Sequence, residues 1–311
     1  MTRVGAIDCG TNSIRLLVAD VDPTSGVLVD LERTMQVVRL GQGVDRTGAI
    51  APEALARTLA ATSQYARICR DLGVEQIRFV ATSASRDASN RDQFVAGVRD
   101  LLGVEPQVLS GAEEAALSFA GATRELVAEG LSGPFLVCDI GGGSTEIVRG
   151  TTGVEAARSV DVGCVRLTER HLAGDPPSES EVILARADVE EALDLVAETV
   201  PLDGITSLVG LAGSVTTVAA CVLDLPAYDA NRIHRVRLAV DDVRDACDRL
   251  LAMSHAERAA LAYMHPGRVD VIGAGALVWW AVIDRLVDRS GITEVVISEH
   301  DILDGIAFSI A

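Results

Sequence analysis

Residues 137–148 read VCDIGGGSTEIV. An apolar run delivers Asp139, then Gly141, Gly142 and Gly143, then Ser144, Thr145 and Glu146, and turns apolar again. Two β-rich runs around a glycine turn read as a tight hairpin. Glycine removes the Cβ and admits positive φ, so backbone N–H groups in such a turn approach a ligand closely. Consecutive N–H groups form an anion-binding concavity. The same skeleton stands at 6–18, AIDCGTNSIRLLV. D-x-G-x-x-S is Asp8, Gly10 and Ser13 in one copy, and Asp139, Gly141 and Ser144 in the other. Thr11, Asn12, Ser13, Ser144 and Thr145 add side-chain donors. A hairpin with glycines for geometry alone is the bland reading of either copy, and recurrence at equal spacing weighs against it. An aspartate repels phosphate directly. Asp8 and Asp139 are therefore read as holders of a divalent cation or its water, with Glu146 a third ligand and Mg²⁺ the expected ion.

Outward from these turns, strands and helices alternate, which predicts an α/β fold. Helices are expected over 52–72, 91–102, 110–126, 165–171, 178–198, 240–252, 271–288 and 301–310. Strands are expected over 4–7, 14–21, 77–81, 105–109, 154–161, 207–211 and 294–297, with a strand pair within 26–38. Pro52 suits a first helical turn and Ser110 an N-cap. Because the glycine turn recurs, the chain reads as two related halves. The expected domains are 1–118 and 119–311, with the last helix, about 299–311, packing back on the first.

The chain has 311 residues, of which 49% are hydrophobic, ample for real cores. The apolar run 271–283 is too short to span a bilayer, and Asp8 interrupts any signal-peptide core, so a cytoplasmic protein is expected. A net charge of −18 repels nucleic acid and anionic membranes, which are not expected partners. It repels polyanionic substrates too, so a phosphate site has to be a local exception. There is no lysine, which excludes a G-x-x-x-x-G-K-[ST] P-loop and Schiff-base chemistry. The six cysteines include no C-x-x-C pair and read as buried hydrophobes, not zinc ligands or disulfides.

DCGTNS and DIGGGSTE resemble the phosphate-binding loops of the actin-like ATPase superfamily, and more narrowly those of the exopolyphosphatase/guanosine pentaphosphate phosphohydrolase family. LGQGVDRTGAI at 40–50, ATSASRDASN at 81–90, LSGAEEA at 109–115 and GLAGSVTT at 210–217 follow that family's order. The resemblance covers essentially the whole chain. It implies two ribonuclease-H-like domains with an interdomain cleft. It implies hydrolysis of the terminal phosphoanhydride of inorganic polyphosphate or guanosine pentaphosphate, assisted by Mg²⁺. Glu114 matches the family's general base. Arg86 matches a phosphate-contacting arginine; its bland reading is a salt bridge with Asp87 or Asp92. Gly213 and Ser214 match a second-domain binding turn, and Arg268 is a further cationic candidate. Glu113 and Glu114 point about 100° apart on a helix, so at most one faces a cleft easily. Both acids also favour a helix N-terminus electrostatically.

Cys9 and Thr11 are mild departures from the family, and SEHDILDG at 298–305 matches it loosely. The chain stops soon after the second domain, without the helical domains that extend the polymer channel of long members. Short polyphosphate or guanosine pentaphosphate is therefore expected ahead of processive digestion, with polyphosphate the leading reading. A homodimer stays open beside a monomer. An ATP-using kinase of the same superfamily and a non-enzymatic alarmone or polyphosphate sensor are the competing readings. His300–Asp301 lacks the further ligands of an H-D metal phosphohydrolase, and GAGAL at 273–277 reads as a helix-packing site.

Overall fold

The structure is a computed structural model that describes residues 1–22 and 26–311. The chain divides into two compact units, 1–121 with 302–311, and 122–301. The first unit contains β1 (Thr2–Cys9), β2 (Ser13–Asp22), β3 (Val27–Val37), α1 (Val44–Thr47), α2 (Pro52–Asp71), β4 (Gln76–Ala81), α3 (Ser83–Asp87), α4 (Arg91–Leu102), β5 (Gln107–Val108) and the start of α5 (Gly111–Ala128). The second contains β6 (Phe135–Ile140), β7 (Thr145–Gly150), β8 (Val154–Val160), α6 (Cys164–His171), α7 (Glu179–Ala197), β9 (Ser207–Leu211), α8 (Ala212–Val222), α9 (Ala230–Ile233), β10 (Arg237–Ala239), α10 (Val240–Ala252), α11 (His255–Ala259), α12 (Ile272–Ser290) and β11 (Glu294–Ser298). The chain's last helix, α13 (Ile302–Phe308), returns to the first unit.

The sheets repeat each other. In the first unit the strand order is β3-β2-β1-β4-β5, and in the second β8-β7-β6-β9-β11 with β10 added at the edge. Each begins as an antiparallel meander of three strands and continues with parallel neighbours. The two units are thus related α/β domains. The expected strand pair within 26–38 is instead one long strand, β3, bonded to β2 along its length. Turn chemistry stops at Gly26, whose φ is 73°, and nothing between Leu28 and Val37 supplies a second turn.

β1 explains why its sequence is a continuous apolar run. Ile7 and Cys9 face a core shared with α2 and α4, whereas Val4 and Ala6 face a second core shared with α13. A strand covered on both faces has no polar alternation to show. At Gly305 in α13 a Cβ would stand 2.1 Å from the Leu117 carbonyl oxygen, so only glycine permits this approach to α5. All six cysteines are buried. Burial, then the Asp8 charge, pushes the Cys9 thiol well above its usual range. Burial, then Asp139 and Glu146, does the same to Cys138.

The start of α5 separates the two neighbouring acids. Glu113 accepts from the Ser110 N–H at 2.8 Å and the Ser110 hydroxyl at 2.7 Å, while its own N–H reaches Ser110 Oγ at 3.3 Å, a capping box. These bonds, the backbone one first, hold the Glu113 carboxyl below its ordinary range. A depressed carboxylate stabilises the fold above its unfolded pKa of about 4.3, and loses that effect as pH falls through the folded value. Ser110→Ala is expected to lower Tm by about 2 °C at neutral pH, with the deficit narrowing on acidification. Thermal scans at neutral and acidic pH check both parts.

Candidate active site

In the first unit β1 ends at Asp8–Cys9 and β2 begins at Ser13, with Cys9 opposite Ile14. Gly10 N–H donates to the Ser13 carbonyl at 2.9 Å and closes the turn. The Thr11 carbonyl accepts from Gly41 N–H at 2.8 Å, and the Asn12 carbonyl from Val38 and Arg39 at 3.1 and 2.8 Å. In a trans peptide the N–H that follows points opposite its carbonyl. The N–H groups of Asn12 and Ser13 therefore face away from the 38–41 segment. The Thr11 hydroxyl is spent inside, 2.8 Å from Ser83 Oγ. Gly41 makes this packing possible, because a Cβ there would stand 2.3 Å from Thr11 Cγ2.

The second unit builds the same turn by other means. Gly141 N–H donates to the Ser144 carbonyl at 3.0 Å. The Gly141 carbonyl accepts from Cys164 N–H at 3.0 Å, and the Gly142 carbonyl from Val165 and Arg166 at 2.9 and 3.1 Å. The Gly143 carbonyl accepts from Arg166 Nε at 2.7 Å. With three carbonyls turned towards α6, the N–H groups of Gly142, Gly143 and Ser144 point the other way, the arrangement that an anion-binding concavity requires. Gly163 lies against this turn. A Cβ there would stand 2.6 Å from Gly142 C and O and 2.7 Å from Gly143 N, all backbone atoms. Its φ of −150° suits any residue, so steric overlap is the whole effect of a substitution. Gly163→Ala is expected to cost about 1–3 kcal/mol by overpacking and to raise KM more than it lowers kcat. Denaturant unfolding and steady-state kinetics check the two expectations.

The aspartates differ between copies. Seven residues after each stands its cross-strand partner: Arg15 opposite Asp8, and Glu146 opposite Asp139. Arg15 Nε and Nη2 both reach Asp8 Oδ2, at 3.0 and 2.7 Å, so this aspartate is charge-compensated by its own hairpin. Asp139 is 7% and Glu146 1% exposed. Ser159 on β8 donates to Glu146 Oε1 at 2.6 Å. Two carboxylates buried opposite each other repel, and hard oxygen donors of this kind suit a divalent cation. The donor set therefore fits Mg²⁺ at Asp139 and Glu146. At Asp8, the other aspartate expected as a ligand, the facing residue is a cation.

Glu114 and Arg86 come together. Glu114 is 7% exposed on the first turn of α5, while Glu113 is at the surface in its capping box. Arg86 Nη1 donates to the Leu109 carbonyl at 3.0 Å and to Glu114 Oε2 at 3.2 Å. Both bonds leave from one arm of the guanidinium fork. The salt bridge considered for Arg86 with Asp87 or Asp92 is replaced by this one. Gly213 and Ser214 open α8 after β9. A Cβ on Gly213 would stand 2.5 Å from the Arg268 guanidinium carbon, so that side chain lies directly on the turn. Arg268 Nη1 donates to Thr217 Oγ1 at 3.1 Å, and Thr217 donates to the Gly213 carbonyl at 2.7 Å. Ser214 packs on Gly275 of the GAGAL stretch, where a Cβ would stand 2.2 Å from Ser214 Oγ.

Comparison with known proteins gives this geometry a lineage. Residues 17–309 match the Ppx/GppA phosphatase family. The chain belongs to that family. It is 52% identical, over 100% of its own length and 99% of the relative's, to Exopolyphosphatase 2 of Mycobacterium tuberculosis strain H37Rv. A bifunctional 3-dehydroquinate synthase/phosphatase of Fusobacterium nucleatum is 30% identical over 96% of this chain and 45% of that protein. Among solved structures, that of an exopolyphosphatase-like protein superposes with a TM-score of 0.96 at 42% identity, covering 99% of this chain and 97% of the other. The PPX-GPPA enzyme of Aquifex aeolicus gives 0.81 at 27%, covering 99% of both chains. Among the described residues, no helix is long and apolar enough to cross a membrane.

Sequence reasoning misses Arg15, Gly163 and Arg166, and gives Gly41 no structural role. Arg15 has a signal: it occupies the position of Glu146 in the repeat. The others act through backbone carbonyls of a distant turn, which no spacing rule exposes.

Proposed function

We propose that this family member is an exopolyphosphatase that releases the terminal phosphate of inorganic polyphosphate, short chains first. The observation that carries this reading is the identity with Exopolyphosphatase 2 along the whole length of both chains. The site chemistry agrees with it. Each unit offers a turn whose N–H groups are aimed by pinned carbonyls, a suitable receptor for phosphate oxygens. Gly10, Thr11, Asn12 and Ser13 form the first turn, and Gly141, Gly142, Gly143 and Ser144 the second. Gly213 and Ser214, with Arg268 lying on Gly213, supply a further anion contact. Glu114 orients water and takes its proton, and Arg86 holds Glu114 while its second arm meets a phosphate oxygen. Asp139 and Glu146 would hold Mg²⁺. When bound, Mg²⁺ supplies charge neutralisation on the phosphate oxygens.

The net charge of −18 supports the order of substrates. A long polyanion meets the repulsion of the whole surface, whereas a short one engages the local turns. The test is phosphate release from short polyphosphate, long polyphosphate and guanosine pentaphosphate in parallel, at low and moderate salt. Fastest release from short chains, with salt narrowing the gap to long ones by screening, is expected. Preferred hydrolysis of guanosine pentaphosphate would reassign the substrate, and no release from any of the three would refute the enzyme reading.

A further inference from the structure

The second unit gathers three metal-ligating side chains from distant parts of the chain, none of them used by the phosphate turns. Glu125 is on α5, His234 follows α9, and His300 is the histidine of the His-Asp pair after β11. His234 Nε2 lies 2.8 Å, and His300 Nδ1 3.3 Å, from the same oxygen, Oε2 of Glu125. One donor atom from each residue falls within 4.8 Å of the other two. The imidazole centroids are 4.4 Å apart, with the rings inclined by 38°. We propose that Glu125, His234 and His300 bind one transition-metal dication of the Zn²⁺, Co²⁺ or Ni²⁺ class.

The distances suit such an ion. Bonds of about 2.0–2.2 Å to nitrogen and oxygen place neighbouring ligand atoms roughly 3 Å apart. Only small side-chain shifts separate the observed triad from that arrangement. Two imidazoles and one carboxylate select borderline transition metals, whereas Mg²⁺ prefers all-oxygen surroundings such as Asp139 and Glu146. The carboxylate is also oriented from behind. Arg235 Nη1 lies 3.8 Å from Glu125 Oε1 and is itself salt-bridged to Glu129. Oε1 thus faces a cation and Oε2 faces the rings, as outer partners orient ligating carboxylates elsewhere. Three protein donors leave a fourth position for water.

The metal-free triad is held by hydrogen bonds that the ion must replace. Glu299 N–H donates to His234 Nδ1 at 3.2 Å, which keeps the ring proton on Nε2, between His234 and Glu125. Loading would move that proton to Nδ1 and place the metal on Nε2, setting Nδ1–H against the Glu299 N–H. The Glu299 N–H loses its acceptor in the exchange.

The test titrates Co²⁺ into the chelator-treated full chain at fixed pH with excess Mg²⁺ present. One equivalent is expected to bind with a visible d–d band of nitrogen and oxygen ligation and no thiolate charge-transfer band. Amide exchange at Glu299 is expected to quicken. His300→Gln and His234→Gln are each expected to weaken binding on the order of 100-fold. If His234→Gln does not fold, His300→Gln, whose side chain is 35% exposed, decides alone. Absence of binding, a thiolate band, or wild-type affinity in His300→Gln would overturn the site.

Discussion

Glu114→Gln is expected to lower kcat by about 10²–10⁴, the usual worth of a general base, while leaving KM close to wild type. Glu114 is 7% exposed, on the first turn of a helix that is capped by the Ser110–Glu113 capping box. Helix formation therefore does not depend on Glu114. Glutamine has the same shape, and its carbonyl oxygen can accept from Arg86 Nη1, which now donates to Glu114 at 3.2 Å. The ability to take a proton is removed, together with the negative charge that faces Arg86. The pair with Arg86 is largely buried, its side chains 25% and 10% exposed, so losing that charge also lowers Tm, by less than losing the side chain would because the hydrogen bond is kept. Arg86→Ala is expected to behave differently, raising KM through its phosphate arm and lowering kcat because Glu114 is no longer held. Steady-state kinetics on a short polyphosphate, with thermal scans of the same preparations, distinguish the cases. A Glu114→Gln enzyme that keeps more than about a tenth of wild-type kcat would remove Glu114 from the base role.

The parts legible in the sequence are those whose signal is local. The D-x-G-x-x-S skeleton names two turns, and both close by the same glycine N–H to serine carbonyl bond. Pro52 opens α2, and Ser110 caps α5. In the sequence α8 shows only as a strand running into AGSVTT. It is buried nearly all round, so it offers no helical periodicity, and its three valines, two threonines and one glycine offset the helix propensity of its three alanines. β3 reads as two strands because its apolar residues lie at both ends of a charged middle. Geometry that depends on distant backbone stays hidden: Gly41 beside Thr11, and Gly163 beside Gly142. Glu125, His234 and His300 are similarly scattered, and only the fold of the second unit brings their donor atoms together. The contrast between Arg15 and Glu146 lies in between. It is written in the repeat at equal spacing, but its meaning requires the register that sets each residue opposite its aspartate.

That contrast leads to the second large effect. Glu146→Gln is expected to abolish the stabilisation that Mg²⁺ confers and to lower activity at saturating Mg²⁺ on the order of 100-fold or more. The metal-free variant is nevertheless expected to melt no lower than metal-free wild type. Asp139 and Glu146 stand directly opposite each other on adjacent antiparallel strands, 7% and 1% exposed. Like charges about 5 Å apart repel by roughly 3 kcal/mol at an effective dielectric of 20. Glutamine removes one charge and can keep the hydrogen bond with Ser159 Oγ, now 2.6 Å from Glu146 Oε1. The loss of a buried polar contact, which usually destabilises, is thereby avoided, and relief of repulsion remains. Thermal scans with chelator and with Mg²⁺ give the two halves of the prediction. In the first unit the equivalent position is already solved by Arg15, so Arg15→Gln is expected to have the opposite sign and to destabilise with or without metal, because it leaves Asp8 buried beside a neutral partner. A full Mg²⁺ shift in Glu146→Gln would move the cation away from this pair. A lower metal-free Tm would mean that Glu146 stabilises the hairpin by its charge, and the two opposed acids would then be a structural feature and not a cation site.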